Sequence, residues 1–258
     1  MDLGLQGKVV VITGGSQGIG KAAARAFLEE GCKVAVCARR KERLEATKAE
    51  FLEEGYELYT EVVDVTRDEQ LQAFADHVED TYGRIDIWIN NAGANHYEKI
   101  LDYTREELMD IINTDFVSVF AGGQIAARKM MKSGGGVILN ASSYAAITPF
   151  AGKAPYAAMK SGVISLTKCM AAEFACYHIR VNAYIPGTIL TEINKPNMEK
   201  FGDALIRQIP LKRAGEPEDV AKTLVFLASD AAAYVNATTL EISGGKRCVQ
   251  NPWYSYEE

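Results

Sequence analysis

Strand-like and helix-like patterns alternate along the whole of this chain. Lys8 to Thr13 is a Val-rich apolar run that ends in glycines, the mark of a strand covered on both faces. A helical pattern follows from Gly20 to about Glu30, where Gly31 stops it. The pattern next predicts a strand at Lys33 to Cys37, a helix at Lys41 to Glu54, a strand at Leu58 to Val63, a helix at Asp68 to Tyr82 and a strand at Ile85 to Asn90. The second half predicts a long helix from Thr104 to Met131, a strand at Val137 to Ala141 and a helix from Pro155 to Cys176. A strand at Arg180 to Tyr184, a helix at Pro217 to Ala228 and a last strand at Thr239 to Ile242 complete the series. Strands separated by helices imply parallel pairing with right-handed crossovers. The expected fold is therefore α/β, a three-layer doubly wound parallel sheet in one domain spanning 1–258.

Two stretches break the rhythm. Residues from about Ile189 to Pro210 carry prolines, a short helical patch and many polar positions, as an inserted flap over a site would. The tail from Lys246 to Glu258 carries Trp253, Tyr254 and Tyr256 with no later element to pack them. It is expected either to cover a cleft or neighbouring subunit, or to be a frayed end.

Composition narrows the function. The hydrophobic share is 48% and the charged share 24%, ordinary for a globular protein. The net charge of -6, without a Lys/Arg-rich run, argues against a nucleic-acid partner. Met1 to Lys8 has neither the basic start nor the apolar stretch of a signal peptide, and no apolar segment is long enough to span a bilayer. The five cysteines are odd in number and widely spread, as expected for thiols in a reducing cytoplasm. His77, His96 and His178 lie far apart, and no metal site is expected.

The first strand runs into Thr13-Gly14-Gly15-Ser16-Gln17-Gly18-Ile19-Gly20 and directly into a helix. Glycines there let the backbone turn tightly and approach a pyrophosphate, whose charge the helix start stabilises. An acidic residue closing the second strand would bind the ribose hydroxyls of NAD, but Ala38 is followed by Arg39 and Arg40. Guanidinium groups suit the 2′-phosphate of NADP, so NADP(H) is the expected cofactor, with NAD(H) the alternative. Asp64 and Val65, after the third strand, are candidate adenine contacts; Asn91, Ala92 and Gly93, after the fourth, are candidate main-chain contacts.

Tyr156-Ala157-Ala158-Met159-Lys160 opens a helix and sets a phenol and an ammonium on one face. A tyrosine with a pKa of about 10 is a poor base near neutrality; a nearby lysine and an oxidised nicotinamide are expected to lower it. Ser143, just after the fifth strand, is placed to bind the substrate oxygen, and Ser142 is the neighbour to rule out.

Together these residues resemble the short-chain dehydrogenase/reductase family over about Gly7 to Gly245. The motifs stand in order: Thr13-x-x-x-x-Gly18-x-Gly20, Asn90-Asn91-Ala92-Gly93, Ser143, Tyr156-x-x-x-Lys160 and Pro186-Gly187. The resemblance implies a Rossmann fold with a seven-stranded parallel sheet and a Ser-Tyr-Lys active site. Tyr156 would protonate the substrate oxygen as hydride arrives, Ser143 would orient that oxygen, and Lys160 would bind the nicotinamide ribose. Pro186, Gly187, Ile189 by its backbone and Thr191 by its hydroxyl would hold the cofactor. The family's fourth catalytic residue is an asparagine, and Asp115 stands in its place here. A homodimer or homotetramer is also implied.

The expected function is an NADP(H)-dependent interconversion of a carbonyl and a secondary alcohol on a small-molecule substrate. Hydroxysteroids, including bile acids, and 3-oxoacyl thioesters are the candidate substrates. Phe150, Tyr97 and His96 are candidate walls of an apolar cleft, and the tail is similar to that of some bile-acid dehydrogenases. The alternative is a non-catalytic NADP(H)-binding regulator of the same fold.

Overall fold

The computed structural model describes residues 2–94 and 96–256. Strands β1 Val9–Thr13, β2 Lys33–Ala38, β3 Leu58–Val62, β4 Ile87–Asn90, β5 Gly136–Ala141, β6 Ile179–Pro186 and β7 Thr239–Ile242 pair in parallel throughout. They form a seven-stranded sheet in the order β3-β2-β1-β4-β5-β6-β7, the expected Rossmann arrangement. Strand order reverses between β1 and β4, which opens a crevice at the carboxyl edge.

The sheet is sandwiched between helices α1 Gly18–Glu29, α2 Lys41–Glu53, α3 Asp68–Tyr82, α4 Arg105–Ile112, α5 Ser118–Ser133, α6 Ala154–Phe174 and α8 Pro217–Ala228, while α7 Lys195–Ile206 lies in the predicted flap. Side chains of a strand alternate between its faces, so β1 feeds both layers. Val10 and Ile12 join Phe27 of α1, Phe51 of α2 and Leu224 of α8; Val9 and Val11 join Phe74 of α3, Met130 of α5 and Met170 of α6. Apolar burial on both faces is what a near-continuous Val/Ile strand requires.

Three boundaries differ from expectation for local reasons. The fourth strand starts at Ile87 rather than Ile85, and the Asp86 carboxylate accepts the Val9 N–H at 2.9 Å. The long helix is not uniform: between α4 and α5 the backbone opens into wider π-type turns over Asn113–Val117, with Ser118 N–H donating to the Asn113 carbonyl five residues back. Among the described residues of the tail, Lys246 lines the crevice and the rest packs elsewhere. Trp253 Nε1 donates to the Ile209 carbonyl at 2.9 Å, and the Lys212 ammonium lies 3.6 Å from the Tyr256 ring centroid, so the tail braces the segment that follows α7. Residues 257 and 258 of that tail lie outside the described residues. No helix among the described residues is long and apolar enough to cross a membrane.

Candidate active site

The carboxyl ends of β1, β2, β4, β5 and β6 open on a cleft of about 370 Å³. At one end its wall is the β1–α1 turn. Gly14 and Gly18 have φ of 69° and 53°, and a Cβ at Gly14 would stand 2.9 Å from the Ala92 Cα. Helix α1 begins at Gly18 with no side-chain cap and no acidic residue in its first turn, so its positive end faces the cleft unopposed. Gly14, Ser16, Gln17, Gly18 and Ile19 line this part of the cleft. Gly20 stands behind them: a Cβ there would lie 2.4 Å from the Gly14 carbonyl oxygen, so its role is close packing of helix on loop.

Arg39 and Arg40 line the same end, and with them Arg43, one helical turn further along, whose guanidinium is hydrogen-bonded to the Gln17 side chain. Val65 lines the cleft as expected, but Asp64 does not. Its carboxylate accepts from Thr66 N–H at 3.0 Å and Thr66 Oγ1 at 2.8 Å, and these bonds outweigh its burial to hold it below the usual aspartate range. Asp64 thus shapes the turn beside Val65. Thr13 Oγ1 accepts the N–H groups of both Asn91 and Ala92 at 3.0 Å, and Asn91 Nδ2 donates to the Thr13 carbonyl at 3.0 Å. That knot locks the ends of β1 and β4 together and sets Asn91, Ala92 and Gly93 on the floor.

At the other end Ser143, Tyr156 and Lys160 converge on one wall. Pro155 opens α6, where its missing N–H costs nothing, and Tyr156 and Lys160 follow on one face. The Lys160 ammonium is 2% exposed, donates to the Ala141 carbonyl at 3.1 Å, and lies 5.7 Å from the Tyr156 ring centroid. Ser142 also lines the cleft, but its hydroxyl is committed to the Lys160 carbonyl, to which it donates at 2.9 Å. Ser143 Oγ accepts the Ala145 N–H at 3.2 Å, and its hydroxyl is hydrogen-bonded to the Tyr156 phenol, which sets the two side by side.

Asp115 does not line the cleft. It is fully buried beneath Lys160, its Oδ1 3.1 Å from the ammonium, and both of its oxygens accept from Ala94 N–H at 3.4 Å. Where the resemblance sets an asparagine, this chain has a direct ion pair with Lys160. Burial pushes the Asp115 carboxyl up, and Lys160 pulls it back only in part; the Lys160 ammonium, despite its own burial, is held above the usual lysine value by Asp115.

Several of the chain's own groups act on the Tyr156 phenol. Burial raises it most; Lys160 and the hydrogen bond with Ser143 pull it down, Asp115 pushes it up, and the balance stands above an ordinary tyrosine. Lys160 does lower the phenol, but burial outweighs that pull and Asp115 opposes it.

Pro186, Gly187, Ile189 and Thr191 line the cleft where the flap begins. Gly187 packs so tightly that a Cβ would lie 2.7 Å from the Ser243 Cα. Tyr97 and Phe150 line the open mouth, whereas His96 does not; its ring leans on Tyr103 and its Nε2 faces Glu107 at 3.3 Å. Sequence reasoning missed Arg43, Tyr144, Lys153, Thr188 and Lys246, all of which line the cleft. Arg43 and Lys153 had a signal, each lying three residues from a residue already singled out at the start of a helix. Lys246, in a loop after β7, had none.

The chain matches known proteins along almost its full length. A family model described as enoyl-(acyl carrier protein) reductase matches residues 14–247. A 3alpha-hydroxysteroid dehydrogenase of Mediterraneibacter gnavus is 37% identical over 249 residues, covering 94% of this chain and 98% of that one. A 3-oxoacyl-(acyl-carrier-protein) reductase of Thermotoga maritima is 39% identical over 243 residues, covering 93% and 98%. The crystal structure of a short-chain type dehydrogenase/reductase from Mycobacterium marinum superposes with a TM-score of 0.90 at 36% identity, covering 95% and 97%. With that agreement in sequence and in three dimensions, the chain belongs to the short-chain dehydrogenase/reductase family, whose members bind nicotinamide cofactors.

Proposed function

We propose that the protein is an NADP(H)-linked oxidoreductase that interconverts a carbonyl and a secondary alcohol, with Tyr156 as its proton donor and acceptor. The observation that carries this reading is a single cleft with Ser143, Tyr156 and Lys160 on one wall and Arg39, Arg40 and Arg43 at its far end. A dinucleotide fits this cleft: the left-handed glycines and the uncapped α1 start suit a pyrophosphate, and the arginines suit a 2′-phosphate. Gly14, Ser16, Gln17, Gly18 and Ile19 would hold the pyrophosphate side, Val65 the adenine, and Asn91, Ala92, Gly93 and Lys160 the nicotinamide ribose. Pro186, Gly187, Ile189 and Thr191 would hold the nicotinamide. When bound, that ring supplies or accepts the hydride.

The chain's own residues handle the oxygen. Tyr156 Oη gives its proton to the carbonyl oxygen during reduction and takes the hydroxyl proton during oxidation. Ser143, its lone pair occupied by Ala145 N–H, donates to the same oxygen and fixes it beside the phenol. Lys160, anchored by Ala141 and Asp115, holds positive charge beneath the ring as phenolate develops.

The names of the relatives support hydroxysteroids, including bile acids, and 3-oxoacyl thioesters as substrate classes to test first. Exposed apolar residues along α4 and α5, among them Met109, Phe120 and Met131, support a homodimer or homotetramer. The free state of all five cysteines suits the cytoplasm. The test is a carbonyl panel assayed with NADPH and NADH. NADPH is expected to give the higher kcat/KM, and Arg39→Asp to narrow or reverse the preference. Equal efficiency with both cofactors contradicts the NADP assignment, and no turnover of any carbonyl contradicts the enzymatic one.

A further inference from the structure

Two ammonium groups in the cleft have no task in the reaction described above. Lys153 stands immediately before α6, its Nζ 4.0 Å from the Tyr97 ring centroid and 5.6 Å from that of Tyr156. Lys246 comes from the loop after β7 and is 7% exposed. Its Nζ donates to Thr188 Oγ1 at 2.9 Å and lies 5.1 Å from the Tyr144 ring centroid. Both line the same cleft, and among the described residues neither forms an ion pair. Lys160, by contrast, has Asp115.

Withdrawing a cation from water without a counter-charge is costly, and aromatic faces return only part of that cost. Burial is the main reason both lysines are pulled down to about 8; Lys246 adds to the effect on Lys153, which Asp115 opposes, and Arg247 adds to the effect on Lys246. Thr188 uses one of the three Lys246 protons, leaving donors free. The cleft supplies no acid to meet them except Glu192, which is exposed on the flap. An arriving anion would complete the arrangement with charge-assisted hydrogen bonds.

We propose that Lys153 and Lys246 form an anion subsite beside Tyr156, so that the substrate is an oxo acid or hydroxy acid whose free carboxylate lies a few bonds from the reacting carbon. The inference rests on the oxidoreductase reading for where the reacting carbon sits, and it narrows the substrate: a neutral thioester of the same skeleton would leave both ammonium groups unpaired.

The experiment compares acetoacetate and levulinate with their methyl esters, using whichever nicotinamide the enzyme accepts. Wild type is expected to favour one acid over its ester by about tenfold or more in kcat/KM, the scale of one well-made charged hydrogen bond. Lys246→Met and Lys153→Met should each collapse that ratio toward one, mostly through the KM of the acid, with circular dichroism confirming the fold. Calorimetric titration with the same acids reads the subsite independently of turnover, and the double variant should lose the binding. Equal efficiency for acid and ester, or an acid preference that survives both substitutions, overturns the inference and leaves the oxidoreductase reading standing. Carboxylate binding that depends on the two lysines in a protein that turns over no carbonyl supports the subsite and overturns that reading instead.

Discussion

Tyr156 is held as an acid. Burial and the nearby Asp115 keep its phenol above the ordinary tyrosine value and so favour the protonated form, which the proposed reaction requires to protonate a carbonyl oxygen. Alcohol oxidation needs the opposite form, the phenolate, and its rate should climb only as pH rises. Replacing Asp115 by Asn removes a negative charge that disfavours phenolate and leaves Lys160 free to act on the ring. The rising limb of kcat/KM for alcohol oxidation should therefore move to lower pH in Asp115→Asn, as a pH–rate profile would show; a limb that stays or moves upward contradicts the assigned charge balance. The pair Tyr156 and Lys160 was legible in the sequence because helical spacing alone puts them on one face. The direct Asp115–Lys160 contact was not, because it depends on which way a widened helical turn aims its side chain.

That widened turn belongs to the scale of elements. Ser118 Oγ donates to the Thr114 carbonyl at 2.6 Å and Ser118 N–H reaches back to Asn113, so the ladder slips by one residue where α4 meets α5. Periodicity read from sequence gives one long helix there, since one extra residue in a turn hardly disturbs the apolar pattern. The helices and strands of the sheet layers were otherwise legible to within a few residues because their patterns are driven by burial on both faces of the sheet, whereas α7 in the flap, with only Leu205 buried, was read as a short helical patch without bounds. A second device was invisible: a buried polar chain through the core. Trp88 Nε1 donates to Asn90 Oδ1 at 2.7 Å, Asn90 Nδ2 to Asn140 Oδ1 at 2.9 Å, and Asn140 Nδ2 to Thr167 Oγ1 at 3.0 Å. It ties β4 and β5 to α6, the helix that carries Tyr156 and Lys160. Asn140→Ala removes the donor to Thr167 Oγ1 and leaves Asn90 Nδ2 with only the longer bond to the Val119 carbonyl at 3.4 Å, and should cost about 1–3 kcal/mol of stability. Urea unfolding measures this, and a neutral result would mean the chain is not a structural tie.

For the molecule as a whole, net charge misleads. The chain carries -6, yet the cleft is lined by Arg39, Arg40, Arg43, Lys153, Lys160 and Lys246, against the one carboxylate of Glu192. Composition could exclude a polyanionic partner but could not reveal a cationic cleft, which depends on residues brought together from loops far apart in sequence. A local field of this kind draws anions and is screened by salt. Raising ionic strength from about 0.01 M to about 0.15 M shortens the screening length from about 30 Å to about 8 Å, so NADPH affinity should fall more than NADH affinity. Fluorescence titration at the two salt concentrations checks it; parallel losses for the two cofactors would remove the arginines from the 2′-phosphate role. The most direct test of the whole account is Tyr156→Phe, which deletes one hydroxyl and keeps the ring. Turnover of a carbonyl substrate should fall by about a hundredfold or more while cofactor binding stays near the wild-type value. Undiminished turnover in that variant would contradict the proton-transfer role on which the account is built.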